Sequence, residues 1–141
     1  MAYRPTEARS RNMAAIRGKD TGPEMHVRRS VHAAGFRFRL HRRSLPGRPD
    51  LVFPGFRLAV FVHGCFWHGH DCLRGRRPRT NTDYWIPKLE GNRQRDERNV
   101  SALEEAGWEV FTIWECGLSA ETERLLCRLK YLRTNNERSQ A

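Results

Sequence analysis

The polar and apolar positions at the start of the chain predict an arm followed by a helix. Residues 1–20 are polar and basic with only scattered apolar positions, and we expect an arm that becomes ordered on a partner. Thr21 is predicted as a helix N-cap, with Pro23 in the first turn and Glu24 closing a capping box. The helix is predicted to run to about Ala34 and to stop at the glycine that follows.

Three short apolar stretches follow and predict strands. Residues 36–40 alternate apolar and basic side chains, which is the period of a half-buried strand. Residues 50–53 and 57–63 are apolar, β-branched and aromatic and are joined by Pro54-Gly55, so they predict a hairpin. Residues 64–82 contain glycines and a proline that break any regular pattern, and they are predicted to be irregular.

A second helix and a further strand are predicted after this irregular segment. The helix has Pro87 near its start and ends before Gly107. Its middle, residues 92–99, is entirely polar, and we expect that part to face solvent, a site or a ligand. Residues 108–114 are apolar and predict a strand. Because a long helix separates this strand from residues 57–63, a right-handed crossover should make the two strands parallel.

The end of the chain predicts one more helix and completes the expected fold. This helix covers about residues 120–132, where four leucines fall on one stripe. The pattern as a whole predicts a compact α/β domain over residues 21–141, with a small mixed β-sheet flanked by helices, preceded by the arm.

The charge of the chain favours a polyanionic partner. The formal net charge is +10 over 141 residues, and most of the excess lies in the first 50 residues. A basic region of this kind is typical of proteins that bind nucleic acid, although basic proteins without that partner exist.

Nothing in the sequence indicates export or membrane insertion. The N-terminus lacks an apolar signal segment, and the longest apolar runs are far below membrane-spanning length. We therefore expect no membrane partner and a cytoplasmic, nucleoid-associated protein. In a reducing compartment, four cysteines favour metal ligation over disulfides.

Three potential zinc ligands lie within eight residues, at Cys65, His70 and Cys72. A structural zinc takes four such ligands tetrahedrally, and Cys116, just past the last strand, is the expected fourth. Cys127 is a competitor, but it falls within the leucine-rich helix, where a buried small apolar side chain is the ordinary expectation. The alternative for the whole cluster is a set of free thiols.

Asp50, His63 and His68 form a second candidate site. Asp50 opens one hairpin strand, and His63 ends its partner, so His63 and His68 can approach the same point. A carboxylate there could hold Mg²⁺ together with substrate phosphate and water. A neutral imidazole at His68 could activate a water for attack on phosphorus. Seen alone, Asp50 is better explained as a turn or strand-capping residue, and only the two histidines at the same point favour a site.

Phe66-Trp67 is predicted to be an exposed pair of large aromatic residues on a loop. In a basic protein, such a pair can act as a wedge that unstacks bases. The alternative is that the two rings cap the small metal core of the loop. Tyr84-Trp85 raises the same question from the next segment.

Four motifs together resemble the very short patch repair (Vsr) DNA mismatch endonucleases. They are Leu45-Pro-Gly-Arg-Pro-Asp50, Phe61-x-His63-Gly-Cys-Phe-Trp-His68, Cys72 and Trp114-Glu-Cys116. The resemblance runs from about residue 11 to residue 118. It implies a restriction-endonuclease-like fold, related to the PD-(D/E)XK nucleases. It also implies an enzyme that nicks one DNA strand 5′ to the thymine of a T:G mismatch, using Mg²⁺ and a structural zinc.

The resemblance also implies roles for individual residues. Asp50 would hold Mg²⁺ together with the main-chain carbonyl of Val62, where the best-known relative has threonine. His68 would be the general base, with His63 supporting the scissile phosphate or its water. Two further acidic residues match positions that the family associates with its active centre, Glu24 and Asp96.

The remaining implied roles concern zinc and DNA. Four residues would hold the zinc: Cys65, His70, Cys72 and Cys116. Three residues would form the intercalating wedge: Phe66, Trp67 and Trp85. Met13, on the basic arm, would enter from the other groove of double-stranded DNA.

The sequence thus predicts a monomeric, Mg²⁺-dependent enzyme that nicks DNA at T:G mismatches. Two alternatives stay open. The same nuclease core could act on other DNA, such as unmethylated or modified sites. A zinc-stabilised DNA-binding module without catalysis would explain the charge, the aromatic residues and the zinc, but it gives Asp50, His63 and His68 no shared purpose.

Overall fold

A computed structural model of the chain describes residues 21–70, 72, 75 and 78–140. The predicted arm, with Met13, lies outside the described residues. In chain order, the described elements are helix α1 (Gly22–Ala33), strands β1 (Arg39–Leu40), β2 (Leu51–Phe53) and β3 (Leu58–His63), helix α2 (Thr82–Glu105), strand β4 (Glu109–Trp114) and helix α3 (Leu118–Gln140).

Helix α1 begins and ends where the sequence predicts. Thr21 is its N-cap, and the Thr21 hydroxyl accepts a hydrogen bond from the main-chain N–H of Glu24 at 3.4 Å. At the other end, Gly35 has φ +89°, and its N–H donates to the carbonyl of His32. Because only glycine adopts this left-handed conformation without strain, the helix stops there.

The four strands form one mixed sheet in the order β1-β2-β3-β4. β2 pairs antiparallel with β1 and with β3, and β3 pairs parallel with β4. The predicted hairpin and the predicted parallel pairing are therefore confirmed. The parallel register places His63 directly beside Trp114.

The first strand is shorter than predicted. Only Arg39–Leu40 pairs, whereas the alternation indicated residues 36–40. The N–H of Phe36 donates to the carbonyl of Val31 at 3.2 Å, and the Phe36 ring is buried in the core. Since Phe36 is used to close α1, pairing with β2 starts only at Arg39.

The helices cover both faces of the sheet. Because successive side chains of a strand point to opposite faces, alternate residues of β3 pack against different helices. Leu58 and Val60 of β3 pack in one cluster with residues of α1 and α3: Val27, Val31, Leu125 and Leu129. Ala59 and Phe61 point to the opposite face and pack with Leu103 of α2. The predicted small mixed sheet flanked by helices is confirmed.

Helix α2 starts five residues before the proline that was expected near its start. Pro87 lies inside the helix and has no N–H to donate to the carbonyl of Asp83. The first turn is held instead by burial, because Trp85 and Leu89 are 2% and 1% exposed. Tertiary packing therefore outweighs the local effect of the proline.

Helix α3 extends beyond the predicted residues 120–132 in both directions. Leu125 and Leu129 are fully buried, as the stripe predicts. Cys127 is exposed, so the expectation of a buried thiol is wrong: the residue falls outside the buried stripe. In the part of the chain described, no helix has the length and apolar character needed to cross a membrane.

Candidate active site and metal centre

Asp50 is held at the sheet by the strand next to its own. It directly precedes β2, and its Oδ2 accepts a hydrogen bond from the main-chain N–H of Val62 in β3 at 2.7 Å. Burial raises the pKa of Asp50 to about 7, the Val62 hydrogen bond opposes the rise, and the charge of Glu24 adds to it. A carboxylate held ionised at this position would be stabilised by an added cation.

His63 and His68 are stacked on one another. Their ring centroids are 3.7 Å apart, with 1° between the ring planes. Burial, followed by the neighbouring His68, lowers the pKa of His63 to about 3. His63 is therefore neutral at physiological pH. Its Nδ1 is buried and has no hydrogen-bond partner among the described residues.

Asp96 fixes the orientation of His68. Its Oδ2 lies 2.5 Å from Nδ1 of His68. Because a carboxylate oxygen accepts hydrogen bonds, this contact favours the His68 tautomer with the proton on Nδ1, and in the neutral ring Nε2 then keeps its lone pair. Asp96 belongs to the polar middle of α2, the segment that the sequence predicts to face solvent, a site or a ligand.

These groups share one small cavity of about 140 Å³. It is lined by Gly47, Asp50, Phe61, Val62, His63, His68, Asp96 and Asn99. Gly47 is required at this wall, because a Cβ there would lie 2.9 Å from the amide nitrogen of Asn99 and its φ is +76°. The fold thus brings the predicted Asp50, Val62, His63, His68 and Asp96 together.

Glu24, on α1, is connected to the Asp50 carboxylate through the side chain of His41. Its Oε1 lies 2.8 Å from Nε2 of His41 and 2.9 Å from Nη2 of Arg28. Nδ1 of His41 is 3.9 Å from Oδ1 of Asp50. Sequence reasoning missed His41 and Arg28. The spacing of Arg28 four residues after Glu24 was a usable signal, whereas His41 stands in a basic loop without a motif.

The predicted zinc ligands converge in space. One ligand atom from each of four residues lies within 4.8 Å of the others: Cys65, His70, Cys72 and Cys116. Cys116 comes from the 3₁₀ turn Glu115–Gly117 after β4, so the cluster joins the loop to the sheet. Cys127 is not part of it. The donor set of three sulfurs and one imidazole suits zinc.

The loop around this cluster is folded tightly on itself. The N–H of His70 donates to the carbonyl of Cys65 at 2.9 Å. A Cβ at Gly75 would lie 2.0 Å from the carbonyl oxygen of His70, so only glycine fits there. Burial raises the pKa of Cys65 to about 12. Burial also opposes ionisation of Cys72, but hydrogen bonds led by that from Gly75 lower its pKa to about 7.

The three predicted wedge residues form an aromatic cluster. The Phe66 ring lies 5.2 Å from that of Trp67 and 5.5 Å from that of Trp85, both edge-on. Trp67 is 7% and Trp85 is 2% exposed, whereas Phe66 is half-buried. The expectation that Phe66-Trp67 is an exposed pair is therefore wrong for Trp67, because Trp85 of α2 packs against it.

Trp114 connects the cysteine–histidine cluster to the stacked histidines. Its ring lies against the His70 ring, with centroids 4.1 Å apart and an interplanar angle of 11°. Its edge faces His63 at 5.2 Å. The parallel pairing of β3 and β4 fixes this arrangement, since His63 and Trp114 are register partners. Sequence reasoning used Trp114 only as part of a motif.

Comparison with known proteins identifies the family of this chain. Residues 2–74 match the family model described as DNA mismatch endonuclease Vsr. A type II nicking enzyme of Xanthomonas oryzae, V.XorIIP, is 54% identical over 80% of this chain and 83% of its own length. The DNA mismatch endonuclease Vsr of Escherichia coli is 43% identical over 83% of this chain and 80% of its own length. A type II nicking enzyme of Neisseria meningitidis, V.NmeAIP, is 41% identical over 87% of this chain and 86% of its own length. The chain therefore belongs to the Vsr family of DNA endonucleases.

Proposed function

We propose that the protein nicks one strand of double-stranded DNA 5′ to the thymine of a T:G mismatch, as a monomer, by Mg²⁺-dependent hydrolysis. The observation that carries the proposal is the convergence of Asp50, His63, His68 and Asp96 on one cavity. A non-catalytic DNA-binding module has no need for a half-buried carboxylate in one cavity with two stacked imidazoles. The mixed sheet with Asp50 at the start of β2 is consistent with a restriction-endonuclease-like, PD-(D/E)XK-related fold.

The donor set at Asp50 fits Mg²⁺. A hard cation of this kind takes oxygen ligands from one or two carboxylates and keeps several waters. Asp50 and the main-chain carbonyl of Val62 would hold the ion, with Glu24 nearby. When bound, Mg²⁺ supplies positive charge that stabilises the phosphate in the transition state. Burial, the largest cause of the raised pKa of Asp50, disfavours its ionised form, and a bound cation would offset that effect.

His68 is the general base in this proposal. Because Asp96 holds the proton on Nδ1, Nε2 of His68 can accept a proton from the attacking water. Asp96 then stabilises the imidazolium that results. His63 is neutral, so its ring can lie against the charged His68 ring without repulsion, and its unpartnered Nδ1 can hydrogen-bond the phosphate or the water.

Zinc in the cluster of Cys65, His70, Cys72 and Cys116 has a structural role. Four protein ligands close a tetrahedral shell and leave no open position for substrate. The general base lies between two of these ligands in sequence, since His68 follows Cys65 by three residues and precedes His70 by two. Fastening both sides of this loop holds His68 against Asp96.

Mismatch recognition is assigned to the aromatic cluster and the arm. Phe66 is the accessible ring, with Trp67 and Trp85 supporting it from behind. Inserting such a ring unstacks a base step, which takes less energy where the bases are ill-paired. Met13 on the basic arm enters from the other groove.

The direct test compares nicking of T:G and matched duplexes of one sequence, with and without Mg²⁺. We expect a nick only in the T:G duplex and only with a divalent cation. Asp50→Ala should abolish nicking while DNA binding persists, and Glu104→Ala, an exposed carboxylate on α2, should behave as the wild type. Normal nicking by Asp50→Ala would falsify the proposed mechanism.

A second candidate function is nicking at other DNA sites, such as unmethylated or modified sequences. Two of the relatives described above carry the name of type II nicking enzymes. Equal cleavage of matched and T:G duplexes would favour this candidate. Tight binding without a nick in any duplex, with Mg²⁺ or Mn²⁺, would favour a zinc-stabilised DNA-binding module.

A further inference from the structure

His41 occupies an unusual position opposite the catalytic carboxylate. Leu40 pairs with Leu51 at the end of β1, so His41 lies across from Asp50, and its N–H donates to the Asp50 carbonyl at 3.4 Å. Its φ is +46°, in the left-handed region that few residues other than glycine adopt. This short stretch of backbone brings the imidazole to both Glu24 and Asp50.

Three ligand atoms meet at this point. A carboxylate oxygen of Glu24, an imidazole nitrogen of His41 and a carboxylate oxygen of Asp50 lie within 4.8 Å of one another. Metal–ligand bonds of about 2.0–2.4 Å allow one ion to contact atoms at such separations. The Val62 N–H engages Oδ2 of Asp50, whereas Oδ1 is the oxygen near His41. The donor set therefore fits a divalent cation.

The hydrogen bonds around His41 are in competition. Nε2 of His41 lies 2.8 Å from Oε1 of Glu24, which can only accept, and 2.9 Å from Nη2 of Arg28, which can only donate. One ring nitrogen cannot donate to the first and accept from the second at the same time. A divalent cation that took one lone pair from Glu24 and one from His41 would replace Arg28 Nη2 and satisfy both atoms.

Arg28 shows that the cluster attracts positive charge. Its guanidinium lies 2.9 Å from Oε1 of Glu24, a side chain that is only 4% exposed. Buried carboxylates require compensation, and Arg28 contributes to it. Its Nη2 contacts both Glu24 and His41, so this positive group already stands where the metal ion would bind, and the ion would have to displace it.

We propose that Glu24, His41 and Asp50 form a mixed carboxylate–imidazole site for a divalent cation, and that His41 makes the site prefer Mn²⁺ to Mg²⁺. The inference rests on the proposed metal-dependent nicking at Asp50 and adds two ligands and an ion preference to it. Mg²⁺ favours oxygen ligands and gives up its waters reluctantly, whereas transition-metal ions accept imidazole nitrogen more readily.

The test is direct measurement of Mn²⁺ binding to zinc-replete protein. Free Mn²⁺ is counted by its room-temperature EPR signal, and nitrogen ligation is detected as ¹⁴N coupling in pulsed EPR. We expect ¹⁴N coupling in the wild type and its loss in His41→Asn, a substitution that the left-handed backbone tolerates. The Mn²⁺ Kd should weaken about tenfold, and the Mg²⁺ Kd should change less than about threefold.

Two further variants sharpen the result. His41→Gln keeps more of the side-chain length and should also lose the coupling. His26→Asn, an exposed histidine on α1, should keep both the coupling and the affinity. Coupling that persisted in folded His41→Asn would overturn the inference, because the nitrogen would then belong to another histidine such as His63 or His68. Absence of coupling in the wild type would overturn it whether or not the variants fold.

The outcome is separable from that of the proposed function. Mg²⁺-dependent nicking of T:G duplexes without nitrogen coupling leaves the function standing and overturns the site. Nitrogen coupling that depends on His41, in a protein that nicks no duplex, supports the site and contradicts the function.

Discussion

The imidazole rings of His63 and His68 lie face to face, with centroids 3.7 Å apart. Two positive charges at that separation would repel each other by about 4 kcal/mol at an effective dielectric constant near 20. The pKa of His63, lowered to about 3 chiefly by burial, removes that conflict at physiological pH. One ring therefore stays neutral while the other is free to gain a proton.

Asp96→Asn tests whether the carboxylate sets the tautomer of His68. The amide can donate to Nδ1, which would place the proton on Nε2 and remove the lone pair that accepts a proton from water. We expect kcat for nicking to fall about 10²- to 10⁴-fold, with KM for DNA little changed. Glu97→Gln is the control, since Glu97 is largely exposed and pairs with Arg93 at 3.6 Å. A loss of less than about threefold in Asp96→Asn would exclude this role.

Asp50→Asn should stabilise the protein in buffer without added divalent cation. The pKa of Asp50 is raised from 3.8 to about 7, so the protonated form favours folding and its contribution is lost as pH rises from about 4 to 7. The variant should match the wild type near pH 4 and exceed it above pH 7, by up to about 4 kcal/mol.

Chemical denaturation of both proteins across this pH range measures the difference directly. Added Mg²⁺ should stabilise the wild type and leave the variant unchanged. A difference that is constant with pH, or that grows toward acid, would contradict the burial argument for Asp50.

The sequence predicted the positions of those proposed catalytic residues that lie on or beside regular elements. Asp50 and His63 flank a hairpin whose register follows from alternating apolar residues, and β4 is parallel to β3 because α2 connects them. His41 was out of reach of such reasoning. The position of His41 depends on a two-residue strand and on a left-handed backbone conformation. Neither feature produces a repeating pattern of apolar residues that could be recognised in the sequence.

Burial of the aromatic residues was also beyond the sequence. Trp67 lies in an irregular loop, and Trp85 lies in a helical turn that the sequence pattern left out because of Pro87. The contact between Trp67 and Trp85 joins two segments whose relative position cannot be predicted from the spacing of apolar residues. Convergence of the four cluster ligands was predictable in part, because three of them, Cys65, His70 and Cys72, fall within eight residues.

Cys65→Ala should destabilise the protein as well as inactivate it. Zinc bound in the cluster would link the loop to the turn after β4, and its loss should lower the free energy of unfolding by more than about 3 kcal/mol. Cys127→Ala, at an exposed thiol outside the cluster, is the matched control. Bound zinc, melting temperature and nicking are measured together. An inactive Cys65→Ala with an unchanged melting temperature would count against the structural role.

Trp114→Leu should uncouple the cysteine–histidine cluster from the stacked histidines. The ring centroid of Trp114 lies 4.1 Å from that of His70 and 5.2 Å from that of His63. Its ring therefore holds the stacked pair of His63 and His68 in place relative to the cluster. We expect kcat to fall about tenfold with KM for DNA unchanged, and Trp114→Phe to recover most of the loss. Parallel loss of bound zinc in Trp114→Leu would instead mean that the tryptophan acts only on the cluster.

Phe66→Ala tests the wedge, with attention to which ring is accessible. Phe66 is half-buried, while Trp67 and Trp85 behind it are buried, so the phenyl ring is the group that can enter a base stack first. Stacking of an aromatic ring on a base contributes about 1–3 kcal/mol, which corresponds to roughly a 5- to 150-fold loss of affinity for T:G duplexes.

Fluorescence of 2-aminopurine measures base unstacking directly. A 2-aminopurine placed beside the mismatch should brighten on binding of the wild type and stay dim with the Phe66→Ala variant. Tyr131→Ala, which removes an exposed aromatic side chain on α3, should leave both signals unchanged. Full 2-aminopurine brightening by Phe66→Ala would transfer the wedge role to Trp67 or Trp85, and the aromatic cluster would then have to open on DNA.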